Sequence, residues 1–265
     1  MVDGKRPRIA VVAPSNPLPA DVPARVQALA GGRADVVFHP QCFLSSGHFA
    51  GPDAARADAF VEVANDPAFD AVWFARGGYG AGRIAQGALA RLAPTATEKT
   101  YLGYSDAGFL LAGLDRAGVG RVLHGPMPAD VRRVGGDVAI LRALDALADL
   151  PAAPRPQVAF NLTVLSALLG TPLEPDLAGR ALLIEEVDEH AYRIDRLLFH
   201  VTSNSNVRRA AGLALGRCEP MPVNDVDFGQ EAEAIARYWC DRAGLAWLGR
   251  ADIGHDADNK VVAFA

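Results

Sequence analysis

Apolar residues in the first third of the chain gather into short solid runs, and between those runs they recur every three to four positions. Arg8 to Ala13 is such a run, closed by Pro14-Ser15-Asn16-Pro17, and predicts a buried strand followed by a turn. Val22 to Ala30 has helical spacing and is closed by Gly31-Gly32. Asp35 to His39 predicts a second strand, and Asp53 to Ala64 a helix with Asp53 as its N-cap. Asp70 to Ala75 predicts a third strand, ending at Arg76-Gly77-Gly78-Tyr79-Gly80. A helix to about Leu92, a strand over 100–103 and a helix through Leu114 follow.

The second half continues the alternation. An Ala/Leu-rich helix is expected near 138–149, then linker composition in Pro151-Ala152-Ala153-Pro154-Arg155-Pro156. Helices are expected over Asn161–Leu169, Ala191–Asn204 and Gln230–Gly244. Strands are expected over Arg180–Glu185 and Ala211–Leu215, and Ala246 to Ile253 leads to His255. Strands alternating with helices imply βαβ units and a parallel sheet. The expectation is an α/β chain: an N-terminal parallel-sheet domain, flavodoxin-like or amidotransferase-like, over 1–135. A linker region over 136–156 and a smaller C-terminal α/β domain over 157–265 complete it. Sites in such sheets form beyond the carboxyl ends of the strands, where both the Arg76–Gly80 turn and Ser105 fall.

Composition narrows the function. A net charge of −5 without a basic run argues against nucleic acid. Cys42, Cys218 and Cys240 have neither metal spacing nor a disulfide framework. The N-terminal residues Met1 to Arg8 have no apolar core of a signal peptide, and no apolar stretch reaches a membrane span, so the expected location is cytoplasmic. No His/Cys/Asp/Glu cluster has metal-ligand spacing. The glycine turn lacks both Gly-x-Gly-x-x-Gly and the Lys-Ser/Thr of a phosphate loop. Neither a metal nor a cofactor is expected.

Three segments carry candidate chemistry. Ser105, in Gly103-Tyr104-Ser105-Asp106 after a strand, fits a nucleophile at a strand-to-helix turn or a helix N-cap, and Ala107 stands where an elbow usually has glycine. His255 fits a general base and Glu185 the carboxylate that orients it, although Glu185 also opens an acidic stretch with Glu186, Asp188 and Glu189. Alternation along a strand lets only one of Glu185 and Glu186 point into a site. The Arg76–Gly80 turn can supply an oxyanion donor beside the Asp106 N–H, or cradle a phosphate. Arg76 fits a clamp for a substrate carboxylate or a structural arginine. The open alternative is a non-catalytic α/β protein binding a small ligand at this turn.

These residues resemble the LD-carboxypeptidase family of serine peptidases, which includes muramoyl-tetrapeptide carboxypeptidases and microcin-immunity peptidases. The likeness runs through Val11-Val12-Ala13-Pro14-Ser15, Gly47-His48-Phe49-Ala50-Gly51 with Arg56, and Ala75-Arg76-Gly77-Gly78-Tyr79-Gly80. It continues through Gly103-Tyr104-Ser105-Asp106, His124-Gly125-Pro126-Met127, Asn161-Leu162, Gly170-Thr171-Pro172 and Ile184 to Arg196. The resemblance implies a Ser105–Glu185–His255 triad, with an oxyanion hole from the Gly78 and Asp106 backbone. Arg76 and Tyr79 are taken as substrate-binding. It further implies release of terminal D-Ala from cytoplasmic cell-wall tetrapeptides during peptidoglycan recycling, by a homodimer. A peptidyl-nucleotide or other peptide conjugate is the alternative substrate. After His255 the family usually continues to Leu-Pro-Leu-Gly, whereas here Asp256 to Ala265 lack that Pro and Gly.

Overall fold

The computed structural model describes residues 6–149 and 152–265. Residues 1–5 of the N-terminal reading, and Pro151 at the head of the proline-rich stretch, lie outside them. In chain order the strands are β1 (Arg8–Val12), β2 (Asp35–Phe38), β3 (Ala71–Phe74), β4 (Thr100–Gly103), β5 (Arg121–His124), β6 (Gln157–Asn161), β7 (Ala181–Glu185), β8 (Gly212–Leu215), β9 (Trp247–Arg250) and β10 (Val262–Ala263). The helices are α1 (Val22–Ala30), α2 (Asp53–Asn65), α3 (Ala81–Leu89), α4 (Gly108–Ala117), α5 (Gly136–Ala148), α6 (Leu162–Leu168), α7 (Ala191–Ser203) and α8 (Ala232–Ala243).

Two sheets result. The first has the order β10-β5-β4-β3-β1-β2, parallel except for β10, and its first five strands follow the doubly wound 2-1-3-4-5 order. The second has the order β6-β7-β8-β9 and is parallel throughout. This is the α/β architecture the alternation predicts.

The apolar runs are solid because the first sheet is covered on both faces. In β1, Ile9 and Val11 point into a core with Val22 and Val26 of α1 and Ile140 and Leu144 of α5. Ala10 and Val12 point the other way, toward Phe60 of α2, Ala85 of α3 and Leu110 and Leu111 of α4. In the second sheet Val158, Leu182, Ile184 and Leu213 pack beneath α6, α7 and α8.

Three local expectations change. The stretch 136–156 is not wholly a linker: α5 buries Ile140, Ala143, Leu144 and Leu147 on the first sheet. Asp53 is the first residue of α2 rather than its N-cap, which is Pro52. From there its carboxylate reaches both Arg56 and Arg83. The third change is β10, which leaves the C-terminal region and pairs antiparallel with β5, Val262 facing His124. The next residue but two, Ala265, exchanges backbone hydrogen bonds with Gln157 of β6, so this segment joins the two sheets.

Candidate active site

Every candidate segment lies at a carboxyl strand end. Ser105 follows β4 by two residues and adopts φ 57°, a left-handed conformation that is costly for a serine. The following short turn runs into α4. The β3 turn comes so close that a Cβ on Gly77 would lie 2.7 Å from Ser105 Oγ, and 3.7 Å from the Asp106 nitrogen. Gly78 has φ 120°, and a Cβ there would overlap Asn16 at 2.2 Å. The Asn16 side chain accepts the Tyr79 N–H at 3.2 Å. Among the described residues the Gly78 N–H has no backbone or side-chain acceptor.

The turn is held from beneath. Arg56, fully buried, donates to the carbonyls of Pro14 and Gly80 and pairs with Asp53. Asp106 is not a cap for its own helix. Its carboxylate accepts from Ser15 Oγ and from Ala81 N–H at 2.8 Å, capping α3 across the crevice. Burial raises its pKa, opposed by those two bonds.

Glu185 ends β7 with its side chain wholly buried, and its Oε2 accepts from His255 Nδ1. Glu186 turns away. It accepts from Asn161 Nδ2 at 2.8 Å, and from Thr163 N–H and Oγ1 at 2.9 and 2.7 Å, at the start of α6. Burial raises the Glu185 pKa, and the His255 charge opposes it. For His255, burial pushes the pKa down, but the charge and hydrogen bond of Glu185 together outweigh it, and the net shift is upward. With Nδ1 committed, Nε2 is the nitrogen left to take a proton. The imidazole lies against the Tyr104 ring, centroids 4.8 Å apart. Tyr104 donates its hydroxyl to Asp130 at 2.9 Å, and Arg133 binds the same carboxylate at 2.8 Å.

Ser105, His255 and Gly78 sit where two cavities meet. One, about 300 Å³, is walled by Arg76, Gly77, Asp130, Arg132 and Arg133. The other, about 310 Å³, is walled by Tyr79, Asp106, Asn161, Thr163, Glu186 and Glu189. In the first, Arg133 is neutralised by Asp130, and Arg132 faces Asp21 at 3.4 Å. Arg76 donates to the Pro17 carbonyl at 3.3 Å and has no carboxylate partner among the described residues. Burial, with the Arg132 charge behind it, lowers its pKa, and Asp130 opposes that. Ser105, Glu185, His255, Gly78, Asp106, Arg76 and Tyr79 are thus brought to one place, Arg76 and Tyr79 on opposite sides of the serine.

Sequence reasoning missed Asn16, Tyr104, Asp130 and Arg133. The turn Pro14-Ser15-Asn16-Pro17 at the end of β1 was the available signal for Asn16. Asp130 and Arg133 gave only an i,i+3 charge pair. Among the described residues no three His, Cys, Asp or Glu are grouped as metal ligands.

Comparison with known proteins gives a family. The model of the LD-carboxypeptidase N-terminal domain matches residues 9–125, and that of the LD-carboxypeptidase C-terminal domain matches 157–265. A Synechocystis protein named as a carboxypeptidase is 32% identical over 224 residues, 79% of this chain and 73% of its own. The murein tetrapeptide carboxypeptidase of Pseudomonas aeruginosa is 26% identical over 265 aligned residues, 88% of this chain and 85% of its own. The crystal structure of muramoyltetrapeptide carboxypeptidase from Oxalobacter formigenes superposes with a TM-score of 0.83 at 25% identity, covering 97% of this chain and 92% of that one.

Proposed function

The chain belongs to the LD-carboxypeptidase family, and from that membership and the geometry around Ser105 we propose a metal-independent serine peptidase. It cleaves an L-to-D peptide bond and releases terminal D-Ala from murein tetrapeptides. The observation that carries this reading is the pairing of His255 Nδ1 with a fully buried Glu185, at the cavity that the strained Ser105 turn enters. In the non-catalytic alternative His255 has no reason to share both cavities with Ser105.

The chemistry follows from the atoms. His255 Nε2 takes the Ser105 proton as Oγ attacks the scissile carbonyl, and Glu185 stabilises the imidazolium. The Gly78 and Asp106 N–H groups receive the oxyanion. Collapse breaks the C–N bond, His255 protonates the departing amine, and water, deprotonated by the same nitrogen, hydrolyses the acyl-enzyme. Arg76, the one arginine of the first cavity without a carboxylate partner among the described residues, binds the carboxylate of the leaving D-amino acid. Tyr79 lines the acyl side. His255 must be neutral to act, so kcat/KM rises with pH through its raised pKa.

The reading includes a Ser-bearing region over 1–135, a joining region over 136–156 and a region over 157–265 bringing Glu185 and His255. It also includes a cytoplasmic role in peptidoglycan recycling, as a homodimer. These rest on the family resemblance. No helix among the described residues is long and apolar enough to cross a membrane.

The test is amino-acid release from a murein tetrapeptide, its C-terminal amide and a peptidyl-nucleotide conjugate. Wild type should favour the free tetrapeptide, and Ser105→Ala should lose roughly three or more orders of magnitude in kcat. Arg76→Lys should weaken the acid far more than the amide. Retained release by Ser105→Ala removes the serine mechanism, and preference for the conjugate reassigns the substrate.

A further inference from the structure

His255 is the one member of the proposed triad carried by a loop, the stretch 252–260 between β9 and β10. That loop has bonds of its own: Asn259 Oδ1 accepts the Gly254 N–H at 3.2 Å, and Lys260 N–H donates to the Asp252 carbonyl at 3.1 Å. Its main anchors are two arginines whose guanidinium contacts all fall on it.

Arg217 comes from the second sheet, just past β8. Its Nε and Nη2 both bind the Asp256 carboxylate, Nη2 at 3.0 Å, and its Nη1 binds Asp252 at 2.6 Å. The Arg217 N–H donates to the Ile253 carbonyl at 2.8 Å, and its carbonyl accepts from Glu186 N–H at 3.2 Å. The residue therefore splices the end of β7 to the histidine loop. Arg142 comes from α5, on the first sheet. Its Nη1 donates to the carbonyls of Ala257 at 3.0 Å and Asn259 at 2.8 Å. Among the described residues Arg142 has no carboxylate partner.

We propose that Arg142 and Arg217 are positioning residues for His255, gripping its loop from the two sheets so that the imidazole meets both Glu185 and Ser105. This rests on reading His255 as the base. A ring on a loop must be held to a fraction of an ångström, and a misplacement of about 1 Å costs on the order of a hundredfold in rate. Arg217 fixes the loop to the strand of Glu185. Arg142 fixes it to the sheet of Ser105, and neither bond alone registers all three groups.

The test is D-Ala release by Arg142→Met, Arg217→Met and their Lys counterparts, with His255→Ala as reference, each over a pH range. The groups facing His255 are Glu185 from β7, Tyr104 after β4, His124 ending β5, and Asp130 and Arg133 beyond it. A slackened loop weakens the Glu185 contact, so the acid limb of kcat/KM should move to lower pH. We expect kcat to fall roughly 10- to 100-fold in the Met variants, with KM within about twofold, and Lys to restore part of it. A folded Arg142→Met with wild-type kcat, or a fall that leaves the acid limb in place, overturns the proposal. If a Met variant does not fold, its Lys counterpart carries the same readout. Retained release by His255→Ala overturns the base assignment itself, and is recognisable because it appears with both arginines intact.

Discussion

His124 ends β5 with its ring enclosed, and neither ring nitrogen finds a hydrogen-bond partner among the described residues. Its neighbour is the Tyr104 ring at 5.6 Å, with His255 on that tyrosine's other contact. Burial, then the His255 charge, pushes its pKa from 6.5 down to about 3. The unfolded chain therefore binds a proton near pH 6.5 that the native chain refuses until about pH 3. Stability from this group is present above the unfolded value and is lost as pH falls through that window, by at most roughly 5 kcal/mol. Urea unfolding at pH 7 and at pH 4.5 should show a smaller acid loss in His124→Leu than in wild type. Equal losses would mean the ring is solvated through a path its surroundings do not suggest. In the sequence nothing marks the enclosure of His124, because it is built by Tyr104 and β10. Ser105 and His255 are legible because each follows a strand-like run on the spot. Arg142 and Arg217 are not, since their partners lie across the fold, and Asp130 shows only its local pairing with Arg133, not its bond to Tyr104.

The β3–α3 turn shows how an element can be read in sequence while its purpose is not. Gly77-Gly78 and Gly80 announce a tight turn, but only the structure shows which glycine faces what. Gly77 leaves room for Ser105, since a Cβ would lie 2.7 Å from its Oγ and 2.8 Å from its Cβ. Gly77→Ala should cost roughly a hundredfold or more in kcat/KM, as the elbow shifts by ångströms, and about 1–3 kcal/mol of stability from overpacking. Gly87→Ala, on the exposed face of α3 with nothing within 4 Å of the added methyl, should instead stabilise by up to about 1 kcal/mol. Parallel kinetic and denaturation curves check both, and normal turnover in Gly77→Ala would show that the turn yields freely. The same contrast explains which elements sequence reveals. β1, β3 and β7 are solid apolar runs covered on both faces. β5 is four residues with Arg121 and His124 at its ends, and β10 is two residues whose only warrant is the β5 edge beside them. β6 is masked by the helix signal that begins at Asn161.

Across the molecule, Ser105 belongs to one sheet and Glu185 to the other, so the proposed triad depends on how the two sheets are registered. The seam has an ionic fastening far from the site. Arg180 binds Asp115 through two guanidinium nitrogens, at 2.7 and 2.9 Å, and its Nε donates to the Ala265 carbonyl at 2.8 Å. Asp115 lies near the end of α4, the helix that begins just after Ser105, while Arg180 immediately precedes β7, the strand that ends in Glu185. The pair thus ties the distal ends of the two elements whose proximal ends carry the proposed nucleophile and acid. Both side chains are about 15% exposed, at 14% and 15%, so losing one partner leaves a poorly solvated charge. Asp115→Asn should cost about 2–3 kcal/mol, somewhat less than a fully buried pair. It should also lower kcat more than it raises KM, because rigid elements transmit the shift to the serine and the acid. The exposed Arg8–Asp35 pair, at 41% and 62%, provides the comparison, and Asp35→Asn should change stability by less than about 1 kcal/mol. Urea midpoints and steady-state kinetics on both variants decide it. If Asp115→Asn is no costlier than Asp35→Asn and keeps wild-type kcat, the register of the sheets is held by their other contacts, and the Arg180–Asp115 pair does not set it.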